Sequence, residues 1–119
     1  MKVVLWDRNL ITAQRIRSLL AERGVEVKVL SSYQAVEDFL KEVGDAAVFV
    51  NLEALTQEDA LINIKRTYPH VKLVGYCGHK NVSLQEKAKS MGVDLVVPNS
   101  VITMQPYEVL KKVLPGIWL

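Results

Sequence analysis

The stretch AAVFVNL at residues 46–52 decides the fold, because it is an unbroken apolar run interrupted near its end by a single amide side chain. A run this short, rich in β-branched and aromatic residues, is typical of a strand buried on both faces. Such strands lie in the middle of a parallel sheet. In open α/β sheets, ligands gather just beyond the carboxyl ends of the strands, so Asn51 stands where a functional group is expected.

On both sides of this stretch, apolar runs alternate with amphipathic segments. Besides the central run, strands are predicted at residues 3–6, 26–30, 71–76 and 94–97. Helices are predicted at residues 10–23, 33–43, 56–68, 83–91 and 106–113. The second strand alternates apolar and charged residues, which indicates a half-exposed outer strand. Strand-then-helix units require right-handed crossovers, so the sequence predicts a flavodoxin-like α/β fold with a parallel sheet in the order 2-1-3-4-5.

The residues before the predicted helices indicate how those helices begin. Asn9 and Ser32 are candidate N-caps, because each offers a short polar side chain to unpaired backbone N–H groups. Residues 56–59 and 83–86 have the pattern of a capping box.

Composition limits the classes of function. The chain has 119 residues with a formal charge of +2, and its basic residues are scattered, so nucleic acid is not an expected partner. One domain covering residues 1–119 is expected, with residues 115–119 as a tail or the start of a linker. The single cysteine, Cys77, excludes an internal disulfide. Neither a signal segment nor an apolar run of membrane-spanning length is present, so we expect a cytoplasmic protein without a membrane partner.

The residues at the ends of the predicted strands carry a resemblance to a known family. Trp6 and Asp7 follow the first strand, Asn51 ends the third, Cys77 lies after the fourth, and Asn99 follows the fifth. In this spacing, from residue 2 to about residue 114, the chain resembles a CheY-like receiver domain of bacterial response regulators. Receiver domains carry two acids, a phosphate-accepting Asp, a Ser or Thr, and a Lys followed by Pro at these places. Here only Asp7 of that set is kept.

These departures remove the chemistry of aspartyl phosphorylation. Asn51 is a far weaker nucleophile than a carboxylate, and Trp6 replaces an acid that would help to hold Mg²⁺. No Lys follows the fifth strand. The resemblance therefore implies a pseudo-receiver that lacks the phosphoacceptor, with no catalytic residue, no cofactor and no metal. Asp45, Glu53 and Asp94 lie away from the strand ends or on their flanks, so none is expected to replace the acceptor.

Several residues at these strand ends keep two interpretations. Trp6 either fills the space of the lost acidic pocket or contacts a ligand or partner. Asp7 is either a remnant metal ligand or a residue that caps or salt-links the first helix, and Asn51 is placed to hydrogen-bond to it. Cys77 has no second cysteine and no fixed base, so it is not expected to do redox or nucleophilic work.

The two histidines also lack the spacing of a metal site. His70 and His79 flank the predicted fourth strand at opposite ends, and no pair or trio of ligands at metal spacing occurs in the sequence.

Two functions follow from these observations. The first is a phosphorylation-independent protein–protein interaction module in bacterial signal transduction or regulation, which would bind a signalling protein, its own output domain or a second copy of itself. The alternative is a flavodoxin-like domain that binds a small molecule with the loops at the carboxyl end of the sheet. Receiver domains commonly interact through the fourth helix, fifth strand and last helix. The corresponding candidate interface residues are Lys87, Lys89, Met104, Tyr107, Lys111 and Lys112.

Overall fold

A computed structural model describes residues 2–44, 46–55, 57 and 59–114. Its five strands form one parallel sheet in the order β2-β1-β3-β4-β5, which confirms the predicted flavodoxin-like fold. The strands are β1 Lys2–Trp6, β2 Val27–Leu30, β3 Ala46–Asn51, β4 Lys72–Cys77 and β5 Leu95–Pro98. As predicted, β2 is an edge strand and β3 is central, with its first five residues fully buried.

Helices cover both faces of the sheet. They are α1 Leu10–Ala21, α2 Tyr33–Val43, α3 Ala60–Thr67, α4 Val82–Ser90, α5 Asn99–Met104 and α6 Pro106–Val113, with a single 3₁₀ turn at Leu52–Ala54. The sequence did not predict α5, because its β-branched residues disfavour a helix and the segment is too short to show a periodic stripe. Ile102 holds α5 in place, since its side chain is fully buried in the core. Within the described residues, no helix is long and apolar enough to cross a membrane.

Alternate side chains of each strand divide the core into two clusters. One cluster, on the side of α2, α3 and α4, includes Val4, Val48 and Leu61. The other, on the side of α1, α5 and α6, includes Leu5 and Phe49. This period of two is the geometry of a pleated strand buried on both faces. It also fixes which face each residue at a strand end joins.

The helix starts confirm two of the predicted caps and correct one capping box. Asn9 Oδ1 accepts hydrogen bonds from the backbone of α1 at 3.1 and 3.2 Å, and Ser32 Oγ accepts one from Ala35 N at 3.2 Å. The box at residues 83–86 was wrong, because α4 begins at Val82 and its N-cap has no side-chain cap bond. Gln85 instead donates to the carbonyl of His79 at 3.3 Å. Two residues of the box at 56–59, and all of 115–119, lie outside the described part of the chain.

Trp6 is buried, in agreement with the first of its two interpretations. Its side chain is only 8% exposed and belongs to the cluster on the α2 side. The indole stacks on the ring of Tyr33 with 6.1 Å between centroids and an interplanar angle of 27°. Offset stacking adds to the stabilisation that burial of the ring provides.

We predict that Trp6→Ala lowers the free energy of unfolding by about 3–5 kcal/mol, because it removes a large buried ring and leaves a cavity. Chemical denaturation followed by circular dichroism measures the free energy, and thermal denaturation measures the melting temperature. Trp118→Phe, made separately, serves as the control for loss of a tryptophan. A Trp6→Ala variant that unfolds within 1 °C of the parent, a threshold small beside the roughly 4 °C expected per kcal/mol, would contradict a structural role for the indole.

Candidate functional site

Asp7 lies at the centre of the site at the carboxyl end of the sheet. Its side chain is buried, with 1% exposed, and three donors surround its carboxylate. Oδ1 accepts hydrogen bonds from the backbone N–H of Asn9 at 2.9 Å and from Asn51 Nδ2 at 3.2 Å. Oδ2 accepts a hydrogen bond from the Tyr76 hydroxyl at 2.7 Å. A buried carboxylate needs such partners, because desolvation of an unpaired charge is costly.

Strand register brings these side chains together. Leu5 pairs with Phe49, so Asp7 and Asn51, which follow these residues by two positions, lie side by side. Asn51 in turn pairs with Tyr76. Residues two apart on a strand point to the same face. Asp7 and Asn51 therefore meet Tyr76 at the end of the face that packs against α1, α5 and α6.

Asn51 is held in one orientation by its two neighbours. Its Nδ2 donates to Asp7, while its Oδ1 accepts a hydrogen bond from Glu53 N at 3.0 Å and caps the 3₁₀ turn that follows β3. A carboxylate can only accept, so Asn51 must present its amide nitrogen to Asp7. At the end of the central strand, Asn51 is thus a donor to the neighbouring acid.

The position of Asp7 favours its structural interpretation. Its carboxylate supports the start of α1 through the backbone of Asn9, whose side chain caps that helix. The described salt bridges do not include Asp7. Among the residues that the structure describes, no three His, Cys, Asp or Glu side chains lie together as a possible metal site.

Tyr76 is the member of this cluster that sequence reasoning missed. The sequence indicates Cys77 at the end of the fourth strand, whereas its neighbour Tyr76 is the residue that contacts Asp7. The predicted strand ends contain a signal for Tyr76, since a phenol at the end of a buried strand needs a partner for its hydroxyl. Burial, followed by the hydrogen bond and the charge of Asp7, raises the pKa of Tyr76 far above its ordinary value. The phenol therefore stays protonated and remains a donor to Asp7.

Cys77 lies on the opposite face of the sheet from Asp7. It is fully buried in the cluster on the α2 side. Burial and the nearby charge of Glu53 raise the pKa of the thiol, while a hydrogen bond with Gln85 opposes the shift. A raised pKa leaves little thiolate at neutral pH, so the environment of Cys77 is that of an unreactive cysteine.

The other candidate residues do not join the Asp7 cluster. Asn99 is exposed at the start of α5, where its carbonyl accepts a hydrogen bond from Thr103 Oγ1 at 2.8 Å. Asp94 precedes β5 at the other end of the sheet, where it pairs with Lys65 Nζ at 2.8 Å. Glu53 accepts a hydrogen bond from Gly78 N at 3.1 Å, which joins the loops after β3 and β4.

The candidate interface residues lie on two surfaces of the molecule. Lys87 and Lys89 are exposed on α4, which packs on one face of the sheet, whereas Lys111 and Lys112 are exposed on α6, which packs on the other. The two remaining residues face α1. Met104, which is 66% exposed, lines a cleft together with Tyr107 and residues of α1, and the Arg23 guanidinium lies 4.2 Å from the centre of the Tyr107 ring.

We predict that Tyr76→Phe lowers the free energy of unfolding by about 1–3 kcal/mol at neutral pH, because it leaves a buried oxygen of Asp7 without its donor. The pH dependence of stability gives a second test of a buried, protonated phenol at position 76. The folded pKa of Tyr76 is raised above the ordinary value of 10.0, so the folded chain retains a proton that the unfolded chain loses above that pH. The stability from Tyr76 is therefore complete below pH 10 and is lost as the pH rises.

Denaturation of the parent and of Tyr76→Phe across the alkaline range measures this effect. Above pH 10 the parent should lose about 1.4 kcal/mol more per pH unit than the variant. Parallel curves for the two proteins would contradict the assigned hydrogen bond.

Comparisons with known proteins give a fold without a close relative. No protein-family model matches the chain, and no curated protein matches it. Solved structures do match. The receiver domain of RcsB from Salmonella enterica serovar Typhimurium aligns with a TM-score of 0.79 and 18% identity over 98% of this chain and 89% of that chain.

Two further solved structures also match this chain in fold at low sequence identity. A co-crystal structure of the Saccharomyces cerevisiae phosphotransfer protein Ypd1 with the receiver domain of the response regulator Ssk1 gives a TM-score of 0.77 at 17% identity, over 95% of this chain and 86% of that chain. The CheY-like protein TadZ from Pseudomonas aeruginosa gives 0.73 at 12% identity, over 98% and 95%. The chain therefore has the five-stranded α/β fold of receiver domains.

Proposed function

We propose that the chain is a pseudo-receiver that serves as a protein–protein interaction module in bacterial signal transduction or regulation and works without phosphorylation. The observation that carries this proposal is the hydrogen bond from Asn51 Nδ2 to Asp7. In this proposal, the amide of Asn51 stands where receiver domains have their phosphate-accepting Asp. The same amide donates a hydrogen bond to Asp7, the one acid of the receiver set that this chain keeps. A cytoplasmic location and the absence of catalysis belong to the same proposal.

The contacts of Asp7 argue against a cycle of phosphorylation. Both carboxylate oxygens already accept hydrogen bonds from protein donors, and the carboxylate is buried. A Mg²⁺ ion requires oxygen ligands in an octahedral arrangement, and phosphoryl transfer needs cations to neutralise the developing charge. Trp6 fills the neighbouring position with a buried ring that cannot supply a carboxylate oxygen. The site is consistent with a single stable conformation that does not change through phosphorylation.

The partner in this proposal is a protein. One of the matching solved structures contains a receiver domain in complex with a phosphotransfer protein, which is an association between two folded proteins. For this chain, a signalling protein, an output domain and a second copy remain the candidate partners. Because the site does not cycle, we propose that binding is constitutive.

We predict that incubation with acetyl phosphate and Mg²⁺ leaves the intact mass unchanged. Asn51→Asp should also take no phosphate, because it removes the donor to Asp7 and puts two carboxylates side by side without a second acid to hold the cation or a Lys to neutralise the phosphoryl oxygens. Intact mass spectrometry measures both proteins, with a conventional receiver domain as the positive control. A stoichiometric phosphoryl adduct on the parent chain would refute the proposal.

We predict that the candidate interface responds to charge reversal. The double variant Lys89→Glu with Lys112→Glu changes one exposed lysine on each of the two surfaces, so it should weaken partner capture or self-association at least tenfold whichever surface is used. It should leave the melting temperature within about 2 °C, since exposed charges contribute little to stability. Lys28→Glu, on the exposed edge of β2, is a matched control. Sedimentation velocity and capture from the source cell measure the effect. If the double variant and the control behave alike, the interface lies elsewhere.

A further inference from the structure

A cleft at the carboxyl end of β1 and β2 lies apart from the contacts of Asp7 and has no role in the function proposed above. Its volume is about 250 Å³. The residues that line it are Trp6, Arg8, Ser31, Ser32, Tyr33, Gln34, Ala54 and Gln57. None of these described lining residues is acidic. From its donors and its aromatic wall, we propose that this cleft binds a small organic oxyanion, with the charged head at Arg8 and the start of α2 and a flat body against Trp6 and Tyr33.

The Trp6 indole supplies the first evidence for a ligand. A buried tryptophan usually finds an acceptor for its ring N–H. Trp6 lines the cleft and is buried, with only 8% of its surface exposed. Among the described residues, its ring N–H has no hydrogen-bond acceptor. An oxyanion in the cleft would provide that acceptor. This observation is independent of the helix that borders the cleft.

The start of α2 supplies two more donors. The Ser32 side chain caps Ala35 N, and the Ser32 carbonyl accepts from Val36 N. The backbone N–H groups of Tyr33 and Gln34, in the first turn of this 11-residue helix, have no acceptor among the described residues. The N-terminus of a helix also carries a partial positive charge that favours anions.

Arg8 supplies the charge. Its side chain is exposed at the cleft, and the described salt bridges leave it without a carboxylate partner. A guanidinium can donate two parallel hydrogen bonds to a carboxylate or phosphate, which makes arginine well suited to such heads. The nearest acid along the chain, Asp7, accepts hydrogen bonds from three other protein groups and forms none of the described salt bridges with Arg8.

The shape of the cleft limits the size of the ligand. The cleft volume is about 250 Å³. That is room for an anionic head and one ring, and it lies below the usual range for drug-sized ligands. The stacked rings of Trp6 and Tyr33 provide an apolar wall for a flat body.

Phenyl phosphate is a suitable probe, because it joins a dianionic head to a single ring. It is titrated into ¹⁵N-labelled protein carrying Trp118→Phe, so that Trp6 gives the one indole N–H signal of the chain. We expect saturable shifts of the Trp6 indole and of the Tyr33 and Gln34 amides with one common Kd. Inorganic phosphate should bind more weakly because it lacks the ring, and neutral benzyl alcohol should give no saturable shift.

Matched arginine variants make the test specific. Arg8→Gln should weaken phenyl phosphate binding at least tenfold, whereas Arg17→Gln, an exposed position on α1 that does not line the cleft, should bind like the parent. A well-dispersed amide spectrum confirms that each variant is folded.

The assignment is overturned if phenyl phosphate gives no saturable shift of these three signals, if Arg8→Gln loses less than tenfold, or if Arg17→Gln loses as much. It is also overturned if inorganic phosphate or benzyl alcohol binds equally well. None of these results would bear on the absence of covalent phosphorylation, which the intact-mass experiment tests separately.

Discussion

The buried carboxylate of Asp7 is the constraint on which the end of the sheet depends. Its three donors come from the start of α1, the end of β3 and the end of β4, so satisfying one charge joins three elements. Removing one partner of a buried charge is far more costly than the net gain of a surface pair. The identities of Asn51 and Tyr76 follow from this requirement, because both side chains can donate to a carboxylate while remaining neutral.

Neutral donors give this site a different character from one built to hold a cation. A metal-binding cluster gathers acceptors around an external charge, and its geometry changes when the ion or a phosphoryl group arrives. Here the donors are part of the chain and are always present. The raised pKa of Tyr76 keeps the proton on its hydroxyl, so the phenol remains a donor to Asp7. This is the physical basis for proposing a domain without a phosphoryl switch.

The fold was predictable because its determinants are local and repeated. The run at residues 46–52 marks a central strand, alternation marks β2 as an edge, and Asn9 and Ser32 mark the starts of two helices. Helix α5 was not predictable, since burial of Ile102 holds a segment whose own preference is not helical. The α4 boundary failed for a similar reason, because the polar side chain of Gln85 bonds to the preceding loop instead of closing a capping box.

The site was predictable in its positions but not in its pairing. Spacing alone placed Asp7 and Asn51 at adjoining strand ends. The choice between Tyr76 and Cys77 depended on the register of β4 against β3, which sequence patterns do not specify to one residue. A one-residue shift exchanges the two faces of the sheet, which is why Cys77 lies in the opposite cluster. The grouping of Met104 and Tyr107 with α1 likewise depended on α5, which the sequence did not predict.

Trp6 links the proposed absence of phosphorylation to the proposed anion site. The indole at position 6 carries no charge, so this residue does not repel an anion in the neighbouring cleft. The same ring stacks on Tyr33 at the start of α2 and so builds the apolar wall beside the helix donors. A carboxylate at position 6 would repel an oxyanion held by Arg8. The residue that argues against a metal-dependent phosphorylation site is therefore also one on which the proposed anion site depends.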